Sequence, residues 1–80
     1  MRLDKFLKVS RIIKRRTVAK DYAENDRVMV NGKIAKPSTD VKVGDVISLR
    51  VGVRQSSYQI LKLTENIKAS DAKELYRIME

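Results

Sequence analysis

Residues 28–35 read VMVNGKIA, a pattern typical of a β-hairpin. β-Branched residues lie on both sides of an Asn31-Gly32 pair, and both members of that pair tolerate the positive φ that a two-residue turn demands. Asn-Gly between two such runs is among the strongest short-range signals for a hairpin. The stretch therefore predicts two short antiparallel strands. From Arg27 onward, apolar residues follow the period of two that is typical of strands.

Two further strands are predicted after this hairpin. VKVGDVISLRV (41–51) contains a Gly-Asp turn followed by alternating apolar residues, and YQILKL (58–63) would close the sheet. Residues 54–57 are polar and are expected to form a loop between them. The middle of the chain thus predicts a small twisted antiparallel sheet.

Helical periodicity is present in the segments that precede and follow the predicted sheet in the sequence. Residues 3–13 predict an amphipathic helix with a basic outer face on which Asp4 also lies, and a second helix is expected from Thr17, a good N-cap residue, to Asn25. A short final helix is expected after Ser70. Its length requires a docking surface, either on the rest of the domain or on another protein. Its apolar positions repeat at i, i+3, i+4 and i+7: Ala72, Leu75, Tyr76 and Met79.

The predicted fold class is α+β: an N-terminal basic helix pair packed on a small twisted antiparallel sheet, with a short C-terminal helix. Eighty residues suffice for one compact core. We expect one domain over residues 1–64, followed by a linker and the short C-terminal helix over residues 65–80.

Composition argues against an enzyme or a metalloprotein. The chain has no cysteine and no histidine, and so lacks thiolate ligands, the commonest metal ligand and the side chain best suited to proton transfer near neutral pH. We expect no catalytic residue, no metal and no cofactor. No apolar run approaches the ~20 residues that cross a bilayer, so a cytoplasmic location without membrane association is expected.

The net charge of +8 is concentrated at one end of the chain. Residues 1–20 hold eight cations against the single anion Asp4, whereas residues 21–80 hold ten cations and nine anions. Concentrated charge of one sign opposes folding and favours a polyanionic partner. The eight cations are Arg2, Lys5, Lys8, Arg11, Lys14, Arg15, Arg16 and Lys20.

Three of these cations, Lys14 to Arg16, lie just ahead of the predicted cap of the second helix. Cations at that end of a helix are unfavourable by about 0.3–1 kcal/mol each, which indicates that they were not chosen for stability. A phosphate there would meet free backbone N–H groups, the helix dipole and arginine side chains together. A solvated basic face is the competing interpretation.

Other basic residues could extend such a footprint. Lys5, Lys8 and Arg11 follow the outer face of the first helix, and Asn31, Lys33 and Lys36 lie at or near the hairpin. Asn31 is also explained by the turn alone. Aromatic residues are too few for a stacking platform, so recognition of folded RNA by its shape fits better than reading of single-stranded bases.

Several motifs follow one another along the chain: MRLDKFL at the start, Arg11, Arg15-Arg16-Thr17, Val28 to Gly32, Lys36-Pro37-Ser38 and Val43-Gly44-Asp45. In this order they resemble the S-four RNA-binding domain family. Within that family the chain is most similar to the free-standing bacterial ribosome quality control and fifteen-kilodalton heat-shock branch. It lacks the long basic extension of the heat-shock members, which favours the quality control side.

The resemblance implies a non-catalytic protein that binds ribosomal RNA and tRNA on a large ribosomal subunit with an obstructed nascent chain. It would support tailing of that chain beside a larger quality-control protein, and it would be a monomer when free. The RNA-binding face in such domains corresponds here to Arg2, Lys5, Arg11, Arg15, Arg16 and Asn31.

Three alternatives stay open. A basic helix pair could also enter the major groove of DNA. The chain could serve another ribosome assembly or RNA-binding role. An RNA-modifying enzyme that uses such a domain as its reader would need a catalytic domain, for which residues 64–80 leave little room.

Overall fold

The computed structural model describes residues 1–79 and has the α+β architecture that the sequence predicts. Two helices precede a five-stranded antiparallel sheet of order β2-β1-β3-β4-β5, and a short 3-10 helix lies between the last two strands. The elements are α1 (Leu3–Val9), α2 (Arg16–Glu24), β1 (Val28–Val30), β2 (Lys33–Ile34), β3 (Val46–Val51), β4 (Arg54–Ile60), the 3-10 helix (Ala69–Leu75) and β5 (Tyr76–Met79).

The core lies between the helix pair and one face of the sheet. α1 contributes the side chains of Leu3, Phe6 and Leu7, which recur at helical spacing and are fully buried. They meet alternate residues of the strands, including Ile47 and Ile60. Full burial of each such side chain stabilises the fold by about 1.5–3 kcal/mol, so this layer fixes how α1 and α2 sit on the sheet.

The β1–β2 hairpin turns at Asn31-Gly32, as predicted. Both residues have positive φ, 52° and 81°, which matches a type I′ turn and the right-handed twist of the strands. Val30 pairs with Lys33 across the turn, which confirms the register that the Asn-Gly signal implies.

The first helix is shorter than predicted and ends at Val9 rather than at residue 13. Ser10 is fully buried, and its hydroxyl donates to the Leu7 carbonyl at 3.2 Å. Arg11 then adopts a left-handed conformation with φ 64°, and its N–H donates to the Lys8 carbonyl. This arrangement resembles the usual C-terminal cap of a helix, with arginine where glycine is preferred.

The second helix begins earlier than predicted. Arg16 is its first residue and Arg15 is its N-cap, so the expectation of a cap at Thr17 was wrong. The N–H of Ala19 donates to the Arg15 carbonyl, and Ala19 and Ala23 are buried one turn apart. This register sets Arg16 over α1, where its side chain reaches Asp4.

The strands of the C-terminal half also depart from expectation. β4 begins at Arg54, so residues 54–57 are strand and not loop. Ser57 pairs with Ser48 in β3, and the two hydroxyl groups are 3.0 Å apart. These polar residues can form a strand because backbone hydrogen bonds to β3 hold them in the hairpin. Apolar side chains are not required where the hairpin extends past the core.

The expected helix through Met79 was correct only in its first half. Ala72 and Leu75 belong to the 3-10 helix, in which residues three apart share one face, and both are buried. The helix therefore docks on the rest of the domain. From Tyr76 the chain is a strand paired with β4. The Tyr76 ring packs edge-on against that of Tyr58, with centroids 5.4 Å apart, and this contact fixes the strand against the sheet.

Candidate nucleic-acid interface

A buried carboxylate organises the arginines at the start of the two helices. The Asp4 side chain is only 3% exposed, and Arg2 approaches its Oδ1 with Nε at 3.2 Å. Arg16, from α2, reaches the same oxygen with Nη2 at 3.5 Å. Both arginine side chains are about half exposed. Asp4 therefore fixes one side of each arginine and leaves the other side open to a ligand.

Asp4 was expected on the outer face of α1, and that expectation was wrong. Its carboxylate also accepts the backbone N–H of Lys5 at 2.8 Å, in the first turn of the helix. Burial raises the pKa of Asp4, but hydrogen bonds and charge from Arg2 and Arg16 outweigh burial and hold the pKa below its ordinary value. The group is thus an anion at neutral pH. The Arg-Leu-Asp spacing at residues 2–4 is the sequence signal that could have indicated this pairing.

The starts of the two helices differ in whether their backbone donors are used. In α1, the N–H groups of Leu3 and Asp4 donate to the carbonyls of Thr39 and Pro37 at 2.8 and 3.1 Å. In α2, no side chain caps the helix, and among residues 1–79 no acceptor meets the N–H groups of residues 16–18. Of the two α-helices, α2 is therefore the one whose start offers backbone donors and a positive dipole end to an anion.

An open depression of about 320 Å³ lies at this point of the surface. It is lined by Arg2, Asp4, Arg16, Thr17 and Lys20, three of which are cations. Guanidinium forks and a hydroxyl group beside free N–H donors match the oxygens of a phosphodiester better than they match a neutral ligand. The arrangement can bind a phosphate of a nucleic-acid backbone.

The eight N-terminal cations divide into two groups. Four pair with carboxylates of the same chain: Arg2 and Arg16 with Asp4, Lys5 with Glu65 at 2.7 Å, and Lys20 with Glu24 at 3.7 Å. The others are exposed and form no ion pair with any of residues 1–79; these unpaired cations are Lys8, Arg11, Lys14 and Arg15. Eight cations against three carboxylates leave an excess of five positive charges around the α1–α2 connection.

The two hairpin residues predicted to bind RNA differ in their availability. The side-chain amide of Asn31 is used at both ends, since Nδ2 donates to Asp45 at 3.1 Å and Oδ1 accepts from the N–H of Val46 at 2.9 Å. Lys33 is exposed in the short edge strand β2. The structure thus gives Asn31 a bracing function in the turn and leaves Lys33 free to reach a ligand.

Candidate metal-ion clusters and membrane-spanning helices are both lacking among the described residues. Residues 1–79 hold no group of three or more acidic, His or Cys side chains that could bind a metal ion. None of the helices in that range has the length and apolarity needed to cross a bilayer.

Comparisons with known proteins agree on one family. Residues 1–47 match the S4 domain family. All 80 residues align at 54% identity with 87% of the RQC P-site tRNA stabilizing factor of Listeria innocua, and at 48% identity with 93% of the factor of that name from Bacillus subtilis. The trimeric structure of heat shock protein 15 from Vibrio cholerae superposes with a TM-score of 0.88 at 38% identity, over 99% of this chain and 81% of that one. The chain therefore belongs to the S4 domain family, in the branch of the RQC P-site tRNA stabilizing factors and heat shock protein 15.

Proposed function

We propose that the chain is a non-catalytic RNA-binding protein that stabilises tRNA in the P site of large ribosomal subunits during ribosome quality control. The observation that carries this proposal is the open start of α2, where Asp4 orients two arginines beside three free N–H groups. The full-length similarity to P-site tRNA stabilizing factors supports the choice of tRNA on the ribosome as the ligand.

The proposed RNA-binding face centres on the depression and on the unpaired cations. Arg2, Arg16 and Lys20 would bind one stretch of phosphates, because they line the same depression. The unpaired cations would extend this contact along the α1–α2 connection, with Lys5 and Lys33 at the margins. Asn31 would act by holding the β1–β2 turn in shape.

The finer features of the proposal concern partners. The ligands would be large-subunit ribosomal RNA and tRNA together, on a cytoplasmic subunit that holds an obstructed nascent chain. A larger quality-control protein would add the C-terminal tail to that chain. We propose a monomer as the free form, although heat shock protein 15 of Vibrio cholerae is described as trimeric.

Strong salt dependence is the first expected result. Each phosphate that is neutralised lowers the logarithm of the binding constant by roughly 0.9 per decade of salt on a duplex, so about five contacts give a slope near −4 to −5. The measurement is the affinity for large subunits that carry peptidyl-tRNA, at several KCl concentrations. A flat dependence would exclude phosphate contacts as the source of affinity.

Competition distinguishes RNA from DNA as the ligand. Structured ribosomal RNA should displace the protein from stalled large subunits more effectively than duplex DNA at equal phosphate concentration, because the grooves and 2′-hydroxyl groups of RNA differ from those of B-DNA. The reverse order would favour the DNA-binding alternative. Vacant large subunits are the matched control for the contribution of tRNA.

Replacing Arg11 by glycine should separate stability from binding. Arg11 holds φ 64°, a conformation that costs a residue with a Cβ about 1–2 kcal/mol, so glycine should raise the free energy of unfolding by about 0.5–1 kcal/mol while RNA affinity falls several-fold. Arg11→Ala is the control, because it removes the same cation but keeps a Cβ at φ 64° and so should not gain stability. Thermal unfolding and subunit binding measure the two effects. Equal loss of both in Arg11→Gly would assign the residue to the fold instead.

A further inference from the structure

The hairpin that joins β3 to β4 extends past the core and ends in an exposed apolar tip. We call residues 50–54, Arg-Val-Gly-Val-Arg, the hairpin tip. Val53 is fully exposed and Val51 is 54% exposed, although both are apolar. Arg50 pairs with Gln55, and Val51 pairs with Arg54, so the two strands stay in register up to the turn.

Turn geometry explains the glycine of this tip but not the valine. Gly52 has φ 63° as the first of the two turn residues, the place where glycine is preferred in such hairpins. The position after this glycine usually holds Asn, Asp or Ser, whose polar side chains are well hydrated at an exposed turn. Val53 does not belong to the core, and its apolar side chain is unfavourably exposed to water. The fold therefore does not explain why valine occupies this position.

The hairpin tip lies in a stretch that has cations and no anions. From residue 46 to residue 64 the sequence contains Arg50, Arg54 and Lys62 but neither Asp nor Glu. Arg27 joins them, since its carbonyl accepts the N–H of Arg50 at 2.9 Å. The Arg27 guanidinium lies over the ring of Tyr22, 5.5 Å from its centroid, which limits its freedom.

None of these three arginines forms an ion pair within the part of the chain that the structure describes. The acidic residues nearest in sequence to Arg27 are already engaged, since Asp26 accepts from Lys36 at 3.1 Å and Glu24 pairs with Lys20. Asp45, the nearest to Arg50 and Arg54, accepts from Asn31 at 3.1 Å. The surface around the tip therefore carries three positive charges that no carboxylate among residues 1–79 pairs with.

This surface is distant from the depression at the start of α2. Arg16 is the first residue of that helix, whereas Arg27 follows its last turn, and the nine residues of the helix span about 13 Å. Arg50 of the hairpin tip is hydrogen-bonded to Arg27 and so lies at the same end of α2 as Arg27. The molecule thus presents cations at both ends of α2.

We propose that the hairpin tip and Arg27 form a second RNA-binding site, which contacts a phosphate backbone separate from the one bound at the start of α2. Arg27, Arg50 and Arg54 would bind phosphate oxygens, because guanidinium groups do so with good geometry. Val53 would pack against a ribose or an unstacked base, as apolar side chains do where proteins enter a groove. This inference rests on the proposed function, and it makes the protein a bridge between two RNA segments.

The test is the double variant Arg50→Gln, Arg54→Gln, compared with the control Lys68→Gln, Lys73→Gln. The control residues are exposed, unpaired within residues 1–79 and remove the same two charges. We expect the hairpin variant to bind stalled large subunits at least about tenfold more weakly than the control and to reduce the salt slope by about 2. Val53→Ser should weaken binding several-fold with an unchanged slope.

Two simpler ligands show which RNA each of the two sites binds. Purified tRNA and vacant large subunits are titrated separately, and the hairpin variant should lose affinity for one of them, whereas Lys14→Gln, Arg15→Gln should lose affinity for the other. Wild-type protein that binds neither probe nor stalled subunits would refute the proposed function itself. Wild-type binding with a hairpin variant equal to its control would refute this inference alone. Weaker binding with an unchanged salt slope in the Arg50, Arg54 variant would mean that these arginines neutralise no phosphate, and it would overturn the inference as well.

Discussion

The double variant Lys14→Glu, Arg15→Glu is expected to reduce binding to stalled large subunits by roughly 100-fold or more, which corresponds to about 2.8 kcal/mol. Both residues belong to the unpaired cations, so no internal partner compensates for their reversal. The new carboxylates would stand beside phosphate oxygens at the start of α2. Like charges placed together in an interface cost several kcal/mol.

Stability should move in the opposite direction. Arg15 is the N-cap of α2 and Lys14 precedes it, where negative charge interacts favourably with the helix dipole. The free energy of unfolding should therefore stay constant or rise by about 1 kcal/mol. Arg16 is left unchanged, because it pairs with Asp4 and its reversal would disturb a buried carboxylate.

Denaturant unfolding and subunit pelleting measure these two effects. The control is Lys68→Glu, Lys73→Glu, which makes the same change in net charge near the 3-10 helix. A control that loses as much affinity as the test variant would mean that only net charge matters. Loss of stability in parallel with binding would mean that the start of α2 is part of the fold and not of an RNA site.

Strong local signals in the sequence predicted most of this fold. The Asn31-Gly32 turn and the alternation in β3 each require one local structure, and both were confirmed. Burial of Leu3, Phe6 and Leu7 followed from their helical spacing. Features of this kind are visible because neighbouring residues alone determine them.

The missed elements depend on contacts between distant residues. Tyr76 and Met79 fit a helical period as well as a strand, and the choice is made by the pairing of Tyr76 with Ile60 and by the contact between its ring and that of Tyr58. The polar residues Gln55 and Ser56 carry no strand signal, but β3 supplies their hydrogen-bonding partners. Local patterns cannot report such tertiary pairing.

The sequence predicted the concentration of positive charge at the candidate site but not the ion pairs that arrange its side chains. The sequence alone showed where cations gather, whereas the division into paired and unpaired cations depends on Asp4, Glu24 and Glu65. Glu65 lies sixty residues from Lys5, which no spacing rule connects. Residues 54–57 were predicted as a loop, so the rigid hairpin that they build was also missed.

Asp4→Asn is expected to lower the free energy of unfolding by about 2 kcal/mol, since hydrogen bonds to charged groups contribute about 1.5–3 kcal/mol and both arginines can still reach water. The amide can keep the bond to the Lys5 N–H but not the charge that holds Arg2 and Arg16. Affinity for stalled subunits should fall several-fold although the net charge rises by one, because the oriented guanidinium pair is lost. Chemical unfolding and subunit binding test both effects.

The pH dependence of stability separates the function of Asp4 from general acid unfolding. Since its folded pKa lies below the ordinary value near 3.9, the stabilisation is complete above that pH and is lost as the pH falls through the folded pKa. Asp4→Asn should therefore lose less stability than the wild type below about pH 4, while the exposed pairs of Asp40 and Glu65 still titrate in both proteins. If Asp4→Asn instead bound RNA more tightly, the carboxylate would be only a competitor of the phosphate, and the ordering of Arg2 and Arg16 would not contribute to recognition.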